Sequence, residues 1–171
     1  LARLEYPEGV LIEGKDWDYE WLANRTKELL QQENVVIFEA AFKHENLFIR
    51  TDILVKQGNK VQLIEVKAKS YDPLDENLLL GKKGGIVKSW KPYLFDVAFQ
   101  RFVIQQEHLT WDISSYLMMA NKRKEAKIDG LNQSFRITNK ATNRTGIIKL
   151  IESIDEIGAS VLGKISIDTI V

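Results

Sequence analysis

Three short runs rich in Val, Ile and Phe follow one another closely in the first half of the chain. They span Val35–Lys43, Leu47–Lys56 and Lys60–Ala68, and the separators are His44-Glu45-Asn46 and Gln57-Gly58-Asn59. Separators this short leave room only for tight turns, so the runs are predicted to form an antiparallel three-stranded meander. The meander restricts the chain to folds that are built on a sheet.

Tight turns also determine which residues lie opposite one another on neighbouring strands. If residues 58 and 59 form a two-residue turn, counting outward places Asp52 opposite Glu65. A similar turn at residues 45 and 46 places Glu39 opposite Asp52. Three carboxylates are therefore predicted to lie side by side on one face of the sheet.

Such a row of carboxylates favours a bound metal ion. Directly opposed side chains have Cβ atoms roughly 4.5–5.5 Å apart, a distance at which like charges repel. Carboxylate oxygens suit Mg²⁺ or Mn²⁺, and Lys67 lies two residues beyond Glu65 on the same face, where it adds positive charge. The chain has no Cys and 2 His, which excludes an iron–sulfur cluster and disfavours a His-built site. Metal-assisted hydrolysis of phosphodiesters is the chemistry that these residues favour.

Helical patterns flank the meander on both sides. One begins at Asp16 or Asp18 and ends before Glu33-Asn34. The second follows Pro92 over residues 93–108, is apolar nearly all round and is therefore predicted to be buried. A strand over residues 110–120 follows. We expect an α/β (α+β) fold with a mixed sheet flanked by helices. Glu28, on the first helix, is either a carboxylate at the edge of the apolar stripe or an extra acid that points at the site.

The segment between Ser70 and Lys91 lacks periodicity and combines glycines with lysines. Lys82, Lys83 and Lys88 lie in or beside its Gly-rich part. Long irregular segments in compact domains are commonly functional. These lysines are predicted to contact phosphates from a flap beside the site, or else to be a solvated insertion.

Composition sets the remaining expectations. With 24 basic and 24 acidic residues among 171, the chain has no net charge, so nucleic acid would be bound through a local patch.

We expect a nuclease-like core with its lead-in over residues 1–119 (core 17–119) and a C-terminal extension over 120–171, with a short hairpin across 139–146, packed on the core. No run reaches membrane-spanning length and no signal peptide is evident, which predicts a cytoplasmic protein without a membrane partner. The chain opens without Met, so a fragment of a longer protein is expected.

The order of these elements and motifs resembles the PD-(D/E)xK nuclease superfamily, and within it the RecB-like exonuclease branch. The resemblance covers residues 17–119 and rests on Arg50-Thr51-Asp52-Ile53-Leu54, on Leu63-Ile64-Glu65-Val66-Lys67 and on Asp96-Val97-Ala98-Phe99-Gln100. These stretches, with Val36-Ile37-Phe38-Glu39 before them, are also similar to an uncharacterised bacterial domain family of that branch. The resemblance implies a restriction-endonuclease-like core.

The resemblance also implies roles for individual residues. Asp52, Glu65 and the Val66 carbonyl would hold the metal, Lys67 would orient or activate water, and Gln100 would match the Gln-x-x-x-Tyr motif that contacts DNA. The fourth position after Gln100 is Ile104 in this chain, where the motif has Tyr. The expected activity is exonuclease-like cleavage of DNA, rather than RNA, in repair, recombination or defence. The alternative is a catalytically inactive module of the same fold that binds nucleic acid or a protein partner.

Overall fold

The structure, a computed structural model, describes residues 1–139 and 145–171 and has a mixed α/β architecture. The strands are β1 (Val10–Leu11), β2 (Asn34–Phe38), β3 (Ala41–His44), β4 (Leu47–Arg50), β5 (Ile53–Gln57), β6 (Lys60–Tyr71), β7 (Asp112–Asn121), β8 (Phe135–Asn139), β9 (Thr145–Lys149) and β10 (Leu162–Ser166). The α-helices are α1 (Tyr19–Leu29) and α2 (Lys91–Glu107). Six strands form a mixed sheet in the order β1-β2-β5-β6-β7-β10.

The register predicted from the two tight turns is confirmed. Gln57 faces Lys60 across the β5–β6 turn, and His44 faces Leu47 across the β3–β4 turn. Gly58 and Glu45, the first residues of the two turns, have φ values of 59° and 52°. Two-residue hairpin turns use this left-handed region at their first position, which glycine enters without steric cost.

The meander is nevertheless interrupted where its first two strands were expected to be continuous. β2 pairs with β5 in the main sheet, whereas β3 and β4 pair with each other in a separate two-stranded sheet. The break falls at Glu39, whose φ of 61° lies outside the extended region of a strand. Beyond the break the chain bends toward α1, where the Thr26 hydroxyl accepts a hydrogen bond from the Ala41 amide at 2.8 Å.

Both faces of the central strands are buried. Leu54, Leu63 and Leu117 belong to the larger core, which includes residues of both helices. Ile53 and Ile64 alternate with them and lie on the opposite face, under the N-terminal segment. Residues two positions apart on a strand point to the same face, so Asp52 lies on the face of Leu54 and Glu65 lies on the face of Leu63. Both acids are therefore on the helix-covered face.

The prediction that α2 is buried all round is wrong. Leu94, Val97, Val103 and Ile104 are buried, but Phe95, Phe99 and Phe102 are 57%, 43% and 51% exposed. These three residues follow the i, i+4, i+7 spacing of one helix face. The helix is therefore two-sided: Gln100 is buried on its covered face, whereas Asp96 is exposed.

The C-terminal residues are joined to the core rather than merely appended to it. β10 pairs with β7 and forms one edge of the main sheet, while β8 and β9 form a separate hairpin. The turn predicted between β8 and β9 lies partly outside the described residues. Within residues 1–139 and 145–171, no helix is long and apolar enough to cross a membrane.

Candidate active site

Asp52 and Glu65 meet at the end of the β5–β6 ladder. The last pair of that ladder is Ile53 with Ile64, so the same register carries Asp52 to the position opposite Glu65. Oδ2 of Asp52 accepts a hydrogen bond from the Val66 amide at 2.7 Å. This bond fixes the Asp52 carboxylate against the strand that carries Glu65, as the sequence predicts.

Glu65 is the most buried acid of the site, with 5% of its surface exposed. Its Oε1 lies 2.5 Å from Nζ of Lys67, and its Oε2 accepts a hydrogen bond from Nε2 of Gln100 at 3.0 Å. Nζ of Lys67 also lies 3.5 Å from Oδ2 of Asp96, which in turn accepts through Oδ1 from Gln100 at 3.3 Å. Strand β6 and helix α2 thus share a closed network of two acids, one amide and one ammonium group.

Burial dominates the electrostatics of this network. It raises the pKa of Asp52, against the Val66 hydrogen bond and the Lys67 charge, which lower it. Burial and then repulsion by Asp52 raise the pKa of Glu65. Burial alone would lower the pKa of Lys67, but its contact with Glu65 and the charge of Asp96 leave that pKa raised. Asp52 and Glu65 are therefore two desolvated acids, and the Lys67 ammonium beside them keeps its positive charge.

Two predicted acids lie elsewhere. The backbone of Glu39 lies opposite Asp52, as the register predicts, and its amide donates a hydrogen bond to the Asp52 carbonyl at 3.2 Å. Its carboxylate pairs instead with Arg3 and Arg50, each at 3.4 Å, so the predicted row of three carboxylates is wrong at this position. The cause is the left-handed φ of Glu39, which takes the residue out of the strand. Glu28 has a side chain that is 64% exposed and pairs with Arg25 at 2.7 Å, so it does not point at the site.

The residues predicted to bind nucleic acid have different surroundings. Gln100 is 4% exposed, and its amide nitrogen is already engaged by Glu65 and Asp96, which makes it a residue that orients the acids. Lys82, Lys83 and Lys88 are exposed on the segment between β6 and α2. That segment is anchored by Leu79, which is buried in the larger core, so it is not a freely solvated insertion.

The donor set suits a hard divalent cation. Mg²⁺ is commonly held in proteins by one or two carboxylates, with water and substrate oxygens completing its coordination. Asp52 and Glu65 supply two carboxylates, although no group of three acidic or histidine side chains suited to a metal occurs among residues 1–139 and 145–171. Oε1 of Gln100 is buried and has no hydrogen-bond partner in the described structure, which leaves an acceptor beside the acids for a water or a cation.

Comparison of the chain with protein-family models, curated proteins and solved structures finds no match. Its chemistry is therefore inferred from the geometry of these residues. Asp52, Glu65 and Lys67 share one side of the sheet beneath α2, in the spacing that the sequence indicates.

Several residues of the site are not predicted from the meander alone. Asp96 is the acid that pairs with Lys67 from α2, and its only sequence signal is its spacing of one helical turn from Gln100. Tyr93 and Trp90 line the same rim: Nζ of Lys67 lies 5.2 Å from the Tyr93 ring centre, and Nζ of Lys69 lies 4.6 Å from that of Trp90. No local sequence pattern predicts these aromatic contacts, because they join residues more than twenty positions apart.

Proposed function

We propose that this chain is a Mg²⁺- or Mn²⁺-dependent nuclease domain of the restriction-endonuclease-like fold, which hydrolyses DNA phosphodiester bonds. The single observation that carries the proposal is the juxtaposition of Asp52, Glu65 and Lys67 at the end of the β5–β6 ladder. It supports the resemblance to RecB-like exonucleases, whose motif supplies the same residue types in the same order. Asp52, Glu65 and the Val66 carbonyl are the proposed metal ligands.

The chain's own residues and a bound divalent ion would share the required chemistry. Phosphodiester hydrolysis needs an activated water, stabilisation of charge on the phosphoryl oxygens and protonation of the leaving oxygen. A bound divalent ion supplies Lewis acidity and lowers the pKa of water. Lys67 places a positive charge beside the acids, and the Val66 amide and Gln100 hold the two carboxylates in fixed orientations.

Cleavage assays on labelled oligonucleotides test the proposal. The wild-type chain is incubated with single-stranded DNA, double-stranded DNA and RNA of one sequence, in Mg²⁺, in Mn²⁺ and in EDTA. We expect metal-dependent DNA cleavage that falls at least 100-fold in Asp52→Asn and in Lys67→Met, since both remove a group at the reacting phosphate. Asp112→Asn is the matched control, because Asp112 is an exposed aspartate at the start of β7 in the same sheet.

A measurement of metal binding distinguishes cleavage at this site from cleavage by a trace of contaminating nuclease. Mn²⁺ at ten times its dissociation constant should stabilise the wild-type chain by about 1.4 kcal/mol and leave Asp52→Asn nearly unchanged. Equal cleavage by the wild type and both site variants, together with no stabilisation by Mn²⁺, would refute the proposal.

A non-catalytic module of the same fold is the second candidate. The observation that favours it is the saturation of Glu65, both of whose oxygens are engaged by Lys67 and Gln100. In that case DNA binding is retained, Mn²⁺ does not stabilise the chain, and no oligonucleotide is cleaved.

A further inference from the structure

Lys69 is a second lysine at the acidic site, and the nuclease chemistry proposed above does not use it. It lies two residues beyond Lys67, where the pairing of β6 with β7 shifts register between Val66 and Ser70. Lys67 and Lys69 lie against the same ring: their ammonium groups lie 5.2 and 4.9 Å from the centre of Tyr93. Lys69 therefore lies on the rim of the site, against the N-terminal end of α2.

The two lysines differ in whether their ammonium groups form ion pairs. Lys67 is paired with Glu65 at 2.5 Å and with Asp96 at 3.5 Å, so its charge is largely balanced within the protein. Within residues 1–139 and 145–171, Lys69 has no ion pair, and its ammonium group is held over Trp90 and Tyr93 at 4.6 and 4.9 Å. Aromatic faces attract and position a cation without neutralising it. Lys69 thus presents a positioned charge without an ion pair, over the same Tyr93 ring that Lys67 contacts.

We infer that Lys69 contacts a phosphate of the bound nucleic-acid strand next to the one that is cleaved. This inference rests on the proposed nuclease function. The Asp52 and Glu65 carboxylates locate the reacting phosphate, and Lys69 is held on the rim by rings that also touch Lys67. A phosphate contact of this kind positions the strand and strengthens binding, whatever the base sequence.

The alternative is a structural role, in which Lys69 only secures β6 against the start of α2. The two roles differ in their response to salt. A lysine that contacts phosphate releases a counterion when it binds, so its removal lowers the slope of log affinity against log salt by about 0.7–0.9. A lysine that only packs on rings leaves that slope unchanged.

Lys164 provides the matched control. Its ammonium group also lies over two rings, 5.1 Å from the centre of Tyr116 and 6.0 Å from that of Tyr6. Lys164 faces Met118, whereas Met119 belongs to the larger core, so Lys164 lies on the sheet face opposite Glu65. Lys164→Gln therefore removes a similar contact far from the acids.

The experiment measures binding of a fluorescent single-stranded oligonucleotide by anisotropy, between 50 and 200 mM salt. The Asp52→Asn background prevents cleavage, and thermal melting verifies that each variant is folded. We expect Lys69→Gln to weaken binding roughly five- to tenfold at the lowest salt and to reduce the salt slope by about 0.7, the value for one contact to a single strand. Lys69→Arg should restore the slope, and Lys164→Gln should match the parent. In the cleavage-competent chain, Lys69→Gln should raise KM with little change in kcat.

Failures of the two proposals give different results. If Lys69→Gln and Lys164→Gln bind DNA with the same affinity and salt slope, the role of Lys69 is refuted, while metal-dependent cleavage by the wild type still supports the nuclease. If the wild type neither binds nor cleaves DNA, both proposals are refuted.

Discussion

Nε2 of Gln100 lies 3.0 Å from Oε2 of Glu65, and this contact ties α2 to the most buried acid of the site. A carboxylate that accepts a hydrogen bond is stabilised in its charged form. Gln100→Leu removes that donor, so the pKa of Glu65 should rise further. The acidic limb of the pH profile of kcat/KM should then move to higher pH, and activity at pH 7 should fall roughly tenfold, as for residues that orient metal ligands.

Gln105 offers a control for this substitution on the same helix. Its amide donates to the carbonyls of His108 and Leu109 at the helix end, away from the acids. Gln105→Leu should change stability but leave the acidic limb in place. An unchanged limb in Gln100→Leu would show that the amide does not act on Glu65.

Asp96 acts on the other acid of the site, Asp52, and in the opposite direction. Its negative charge raises the pKa of Asp52, although burial is the larger cause of that shift. Asp96→Asn removes the charge, so the pKa of Asp52 should fall and the acidic limb should move to lower pH. The measurement is the same pH profile as for Gln100→Leu, and displacement of both variants in one direction would contradict the network described here.

Asp52 is expected to reduce stability in the absence of metal. Its pKa is raised chiefly by burial, so the folded chain binds this proton more readily than the unfolded chain does. The contribution of Asp52 to the free energy of unfolding should therefore be most favourable at low pH, and should fall as the pH rises from the ordinary range of Asp through the raised value. Asp52→Asn, which can keep an oxygen for the Val66 amide, should stabilise the chain at pH 7 by about 1 kcal/mol.

Chemical denaturation in EDTA at pH 7 and at pH 4 measures this effect. The gain in Asp52→Asn should shrink at the lower pH, because the raised pKa of Asp52 makes its carboxyl more extensively protonated there. Asp112→Asn, on the exposed start of β7, should show no gain at either pH. A loss of stability in Asp52→Asn at pH 7 would mean that Lys67 and the Val66 amide outweigh the cost of burial.

The part of the site that follows from sequence is the part that depends on strand register. One short turn and the period of two along a strand suffice to place Asp52 opposite Glu65, because the strand residues on both sides of that turn are extended and paired. The same count reaches Glu39, but it assumes an extended backbone that Glu39 does not have. Only tertiary packing of β3 and β4 against the helices decides that conformation.

Helix α2 shows a second limit of the sequence pattern. Apolar residues all round indicate a buried helix, yet Phe95, Phe99 and Phe102 are exposed because the sheet and loops cover only one side of it. Periodicity reports which residues share a face, not how many faces are covered. The site residues Asp96 and Gln100 were visible as polar exceptions, whereas the rings that hold Lys69 were not.

Gly163 on β10 tests whether the C-terminal residues are an integral part of the core. A Cβ built on Gly163 would lie 2.1 Å from the hydroxyl oxygen and 3.2 Å from Cζ of Tyr71, a buried residue at the end of β6. Gly163→Ala should therefore cost about 1–3 kcal/mol in the free energy of unfolding, as overpacked positions do. Gly85→Ala is the matched control, because a Cβ there would meet nothing within 4 Å.

A double-mutant cycle locates the cause of that loss. Tyr71→Phe removes the oxygen that the new Cβ would meet, so Gly163→Ala should cost less in the Tyr71→Phe background than in the wild type. The unfolding free energies of the four chains, measured by denaturant titration, give the coupling between the two positions. Additive losses would show that β10 can move away from Tyr71, and that the edge strand is only loosely attached to the sheet that carries Glu65.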